Sequence, residues 1–143
     1  MYVGVGSMAQ LHRSVVTLRI TGDDLIPDEI TRLLGVAPTF AQSKGEKRVD
    51  RKFHARFGMW LLETAARIPA DMDGQIQEIL NQATNDLAVW QSLAKRYEID
   101  LFCGLMMARS NEGISLSAQS IAALGERGIE VGLDIYDKDL PQS

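Results

Sequence analysis

The chain has 143 residues, 45% of them hydrophobic and 24% charged, with a formal charge of −4 and a sequence pI near 5.1. That length suffices for one ordinary domain with a real core, and the acidic balance argues against general nucleic-acid binding, which calls for a basic excess over the whole domain. One cysteine, Cys103, excludes an internal disulfide framework and fits a reducing, cytoplasmic setting; with two well-separated histidines, His12 and His54, neither a metal centre nor a cofactor is expected.

No apolar run approaches the ~20 residues that a membrane span requires, so no membrane partner is expected. Residues 1–13 lack a basic start and a long apolar stretch, and read as a flexible leader, not a signal peptide. Residues 14–137 then form one domain and 138–143 a tail. Within the domain, residues 15–20 (VVTLRI) alternate, with Val16, Leu18 and Ile20 on one face and Val15, Thr17 and Arg19 on the other, as in a half-buried strand. After the turn Gly22-Asp23-Asp24 a helix is predicted over 27–34. Pro27 suits the first helical position, where its missing N–H would have no partner, and Asp28 and Glu29 favour the positive end of the helix dipole. Ile30, Leu33 and Leu34 make the apolar stripe, Gly35 the stop, and Pro38 prevents continuation.

A strand over 57–64 places Trp60 and Leu62 on one side. Helical spacing then runs from Ile76 to Tyr97 through Ile79, Leu80, Leu87 and Trp90, and the poor helix formers Thr84-Asn85-Asp86 favour two helices over one. Residues 99–108 are apolar on both faces (Leu101, Cys103 and Leu105 against Phe102 and Met106), which predicts a central strand. Residues 114–116 are expected to pair back as a short strand before a last helix capped by Ser117. In that helix Leu116 and Ile121 form a hydrophobic staple, and Ile121 and Leu124 face the core. Gly128 closes it. The final strand, 129–136, alternates Ile129, Val131, Leu133 and Ile135, expected inward, with Glu130, Gly132, Asp134 and Tyr136 outward. The order strand, turn, capped helix, glycine, strand occurs twice. The expected fold is therefore an α+β, ferredoxin-like sandwich, with a mostly antiparallel sheet and helices on one face.

Charge is most concentrated in residues 44–56, KGEKRVDRKFHAR. Lys44, Lys47, Arg48, Arg51, Lys52 and Arg56 stand there against Glu46 and Asp50, a local +4 that leaves −8 for the rest of the chain. Two readings stand. The cations form an anion- or partner-binding site, with His54 and Phe57 stacking on a base, or the segment is a solvated loop, turning at Gly45, that keeps a strand edge from aggregating. Trp60 reads as core, or as a stacking platform beside that loop. Asp134 and Tyr136, on one outward face, are an acid/base pair if a cleft covers them, with Trp60 as a further wall, and a polar sheet face otherwise. Cys103, among apolar neighbours, reads as inert packing. No phosphate-binding loop, dinucleotide fingerprint, zinc-protease, serine-hydrolase or CxxC motif is present.

The segments LRITG (18–22), IPDEITRLLGVAPT (26–39), KGE (44–46), GMWLLET (58–64) and ISLSAQSIAALGERGIEVGLDIYD (114–137) together resemble a bacterial family, domain of unknown function 4279, over roughly residues 14–137. These motifs are structural: a helix ending in glycine, a tryptophan on a strand, a closing strand ending in Asp-x-Tyr. The resemblance implies a fold and a bacterial setting and supplies no reaction. Three functional readings follow. The first is a non-catalytic cytoplasmic domain that binds another protein or a second copy of itself, its acidic body shielding a basic partner. The second is a module for nucleotides or other small anions using the basic loop. The third is an enzyme with Asp134, Tyr136 and His54 around a cleft.

Overall fold

Local signals set most element ends before packing does. In the computed structural model, which describes residues 9–47 and 55–138, the elements are β1 (Arg13–Gly22), α1 (Pro27–Leu34), β2 (Phe40–Gln42), β3 (Gly58–Glu63), α2 (Met72–Gln82), α3 (Leu87–Arg96), β4 (Glu98–Met106), α4 (Ala118–Glu126) and β5 (Glu130–Tyr136). Helix α1 begins on Pro27 and stops at Gly35, whose φ of 74° is open to glycine at little cost. The break between α2 and α3 falls at Thr84-Asn85-Asp86, where the Asp86 side chain caps α3 by accepting from the Ala88 N–H at 3.0 Å. Ser117 caps α4 in the same way through the Ser120 N–H, also at 3.0 Å.

The five strands form one mixed sheet in the order β2-β3-β1-β4-β5. All neighbours are antiparallel except β4 and β5, which run parallel. Register aligns the core face across the sheet: Leu18 opposes Leu62 and Leu101, Ile20 opposes Trp60 and Ile99, and Val16 opposes Cys103. Ile30 and Leu34 of α1, Ile76 and Ile79 of α2, Trp90 and Leu93 of α3, and Leu124 of α4 join the same buried cluster. One face of the sheet is therefore covered by helices, while the other presents half-buried residues to solvent. Gly58 marks a close backbone approach: a Cβ there would lie 2.9 Å from the Gly22 carbonyl oxygen and 2.9 Å from the Leu25 side chain. No described helix is long and apolar enough to cross a membrane.

Four expectations are corrected. The short strand β2, unforeseen, pairs with β3 ahead of the basic segment. Residues 114–116 form no strand; Gly113 instead bridges in parallel to Gln10. Leu11 is buried and the Leu11 N–H donates to the Gly113 carbonyl at 3.0 Å, so packed structure begins ahead of residue 14. Finally, Val131, Leu133 and Ile135 are exposed by 37%, 52% and 55%, and Ile121 by 57%, where burial was expected. Strand β5 lies at the sheet edge, outside the cover that the helices give to β1, β3 and β4. On α4, the buried positions are Ser120 and Leu124.

Candidate functional site

Alternation along β1 and β4 sends Arg19 and Asp100 to the face opposite the helices, and the antiparallel register sets them side by side. Arg19 donates from Nε to Asp100 Oδ1 at 2.7 Å and from Nη2 to Asp100 Oδ2 at 2.6 Å. Its guanidinium carbon stands 4.6 Å from the centre of the Phe102 ring. The hydrogen bond to Asp100 raises the Arg19 pKa further above its usual value, so the guanidinium stays charged. On the same face Thr17 Oγ1 donates to Glu63 Oε1 at 3.0 Å.

Beside this pair, two adjoining hollows of about 530 and 540 Å³ share Thr21, Phe57, Tyr97 and Glu98. The second is floored by Arg19, Met59 and Asp100 and reaches Glu130 on β5. Of its carboxylates only Asp100 is in an ion pair; Glu98 and Glu130 are exposed and have none among the described residues. In the first hollow Arg96 is already engaged. It donates to Glu29 Oε1 at 2.8 Å, which raises its pKa, and to the Tyr97 hydroxyl at 2.6 Å. Burial pushes the Tyr97 phenol up, so it stays neutral. Asp23, at the rim, pairs with Lys44 at 3.5 Å. The second hollow thus carries net negative charge between aromatic walls.

Of the basic segment, Lys44, Lys47 and Arg56 are exposed, whereas Arg48, Arg51, Lys52 and His54 lie outside the described residues. Its neck is closed by backbone hydrogen bonds from Gly45 N–H to the Ala55 carbonyl (2.8 Å) and from Ala55 N–H to the Glu46 carbonyl (2.9 Å). Gly45 turns there with a φ of 85°. Phe57, directly after the neck, lines both hollows.

The other singled-out residues do not gather. Trp60 is fully buried on the helix side, with Nε1 donating to Thr31 Oγ1 at 3.0 Å. Asp134 and Tyr136 occupy the opposite face three strands away, roughly 14 Å at the usual strand spacing. Trp60, Asp134 and Tyr136 therefore share no cleft. The Tyr136 hydroxyl donates to Asp134 Oδ2 at 2.5 Å, which raises the phenol pKa, and both residues lie outside the two hollows. The Cys103 thiol, fully buried, is pushed up to about 12, first by burial and then by the charge of Asp100, so it is no nucleophile at neutral pH. No group of three His, Cys, Asp or Glu able to hold a metal ion occurs among the described residues.

Sequence reasoning missed Glu98, Asp100 and Glu130 as a group. Alternation gave the outward face of Arg19 and Glu130, but their meeting depends on the order β1-β4-β5, which no local pattern encodes. Comparison with curated proteins and with solved structures gives no match. The family model described as Domain of unknown function (DUF4279) matches residues 10–138, a span that takes in every element from β1 to β5, and the chain belongs to that family.

Proposed function

We propose that this chain is a small, non-catalytic protein-binding domain of the cytoplasm whose outer sheet face receives a basic segment of a partner protein. The observation that carries this reading is the charge left over in the second hollow, where Arg19 engages Asp100 while Glu98 and Glu130 stand without an ion pair among the described residues. Phe57, Tyr97 and Met59 line the hollow beside these carboxylates. A lysine or arginine side chain suits such surroundings, its stem packed on apolar surface and its head paired. The −8 carried outside the basic loop favours the same class of partner by steering. A single buried cysteine supports a reducing compartment. The strand order β4-β1-β3-β2, with α1 linking β1 to β2 and α2 with α3 linking β3 to β4, supports a ferredoxin-like description in which α4 and β5 are an added unit.

A second reading, an anion or nucleotide site on the basic loop, is supported by the closed neck that sets exposed Lys44, Lys47 and Arg56 next to Phe57. Calorimetric titration with a lysine- and arginine-rich peptide separates the two. The expected result is binding that weakens with salt and falls by about tenfold or more, on the order of 1.4 kcal/mol, in Glu98→Lys and Glu130→Lys. Binding of a nucleoside triphosphate or inorganic polyphosphate, lost in Arg48→Glu or Arg51→Glu, with no response to the basic peptide, would put the loop in place of the hollow.

A further inference from the structure

Strand β5 is an edge. Its described neighbour is β4, and no described residue pairs with its other side. The edge also carries an uncovered apolar row: Val131, Leu133 and Ile135, aligned by register with the buried Leu101, Cys103 and Leu105 of β4, are 37%, 52% and 55% exposed. A seven-residue edge with an apolar row on one face and no described partner on its outer side is a template for another strand. We propose that the strand it takes is β5 of a second copy of this chain, run antiparallel about a two-fold axis at Leu133, so that the two sheets become one.

The pattern of side chains selects both the occupant and the register. A two-fold contact must be self-complementary. With the axis at Leu133, Leu133 opposes its own copy and Val131 opposes Ile135, so each residue of the exposed row gains an apolar cross-strand neighbour. On the other face Gly132 opposes Asp134 and Glu130 opposes Tyr136, and no two like charges meet. Moving the axis by one residue in either direction ends this match. At Gly132 it sets Glu130 against Asp134, and at Asp134 it sets that carboxylate against itself, and like charges directly opposite destabilise a sheet. The acids on β5 thus act as a register key for self-pairing. This interface shares Glu130 with the basic-segment site proposed above, but its argument does not depend on that site.

Light scattering on the full-length chain during size exclusion, with charged variants at the axis, tests the proposal. The wild type is expected at twice 15.8 kDa. Leu133→Lys and Leu133→Glu, each of which sets like charges together at the axis, are expected at the single-chain mass, and an equal mixture of the two is expected to return to the dimer. Oxidised Leu133→Cys is expected to form a disulfide-linked dimer, whereas Val131→Cys, which faces Ile135 of the other copy, is not. The cysteine pair reads the register without any loss of apolar surface at the remaining positions. A monomeric wild type at every soluble concentration overturns the proposal and leaves the β5 edge to a strand of a different protein. A dimer indifferent to Leu133→Lys, or one cross-linked as readily through Val131→Cys, overturns it as well.

Discussion

Gln75 is an amide held at zero exposure between β1, the end of β3 and the first turn of α2. It accepts from Ser14 Oγ at 2.6 Å, and its own Nε2 donates to the Ser14 carbonyl (3.0 Å), to Thr64 Oγ1 (3.1 Å) and to the Ala65 carbonyl (2.9 Å). Ser14 Oγ in turn accepts from the Asp71 N–H at 2.9 Å, so one side chain ties the start of β1 to the entry of α2. A leucine of similar volume would strand these buried groups. Gln75→Leu is expected to cost at least about 1 to 3 kcal/mol in urea unfolding, and a variant of unchanged stability would show that the network carries no weight. Nothing in the sequence marks this glutamine. It precedes Ile76 in an ordinary helical pattern, and its partners lie 10 to 61 residues away. Trp60 and Cys103 were legible because a large apolar or small soft side chain on an alternating strand has one common fate, burial.

Elements with their own punctuation were readable to the residue. Helix α1 has Pro27 at its start and Gly35 at its end, and α4 has Ser117 as its cap; each is fixed by chemistry within one turn. Elements defined by a distant partner were not. The three residues of β2 become a strand because β3 lies alongside, with Phe40 opposing Leu61 and Ala41 opposing Trp60. The same limit explains β5 and Ile121. Alternation and helical spacing state which residues share a face; whether anything covers that face is a property of the assembly. Leu124 and Ile121 make the distinction measurable, since both are aliphatic, three residues apart on α4, and 2% and 57% exposed. Leu124→Ala is expected to destabilise by about 2 to 5 kcal/mol, and Ile121→Ala by no more than about 0.5 kcal/mol. Equal losses would place Ile121 in the core after all.

Across the whole molecule, charge is partitioned: a local +4 in residues 44–56 against −8 elsewhere. Composition made that partition visible, and the fold adds what composition could not. The neck of the basic segment closes beside a hollow with two carboxylates that have no ion pair among the described residues, Glu98 at the start of β4 and Glu130 at the start of β5. The Arg19–Asp100 pair contributes little to stability, since side chains 37% and 29% exposed are well screened. Engaged with Asp100, Arg19 leaves Glu98 and Glu130 to the basic partner proposed above. The measurement that tests this most directly is a two-dimensional NMR titration of the isotope-labelled full-length chain with an arginine-rich peptide. Shifts are expected to concentrate on Thr21, on residues 97–100 and on Glu130, and to fade as salt is raised. Shifts confined to residues 44–56 or to the helix-covered face, or none in low salt, would contradict the account.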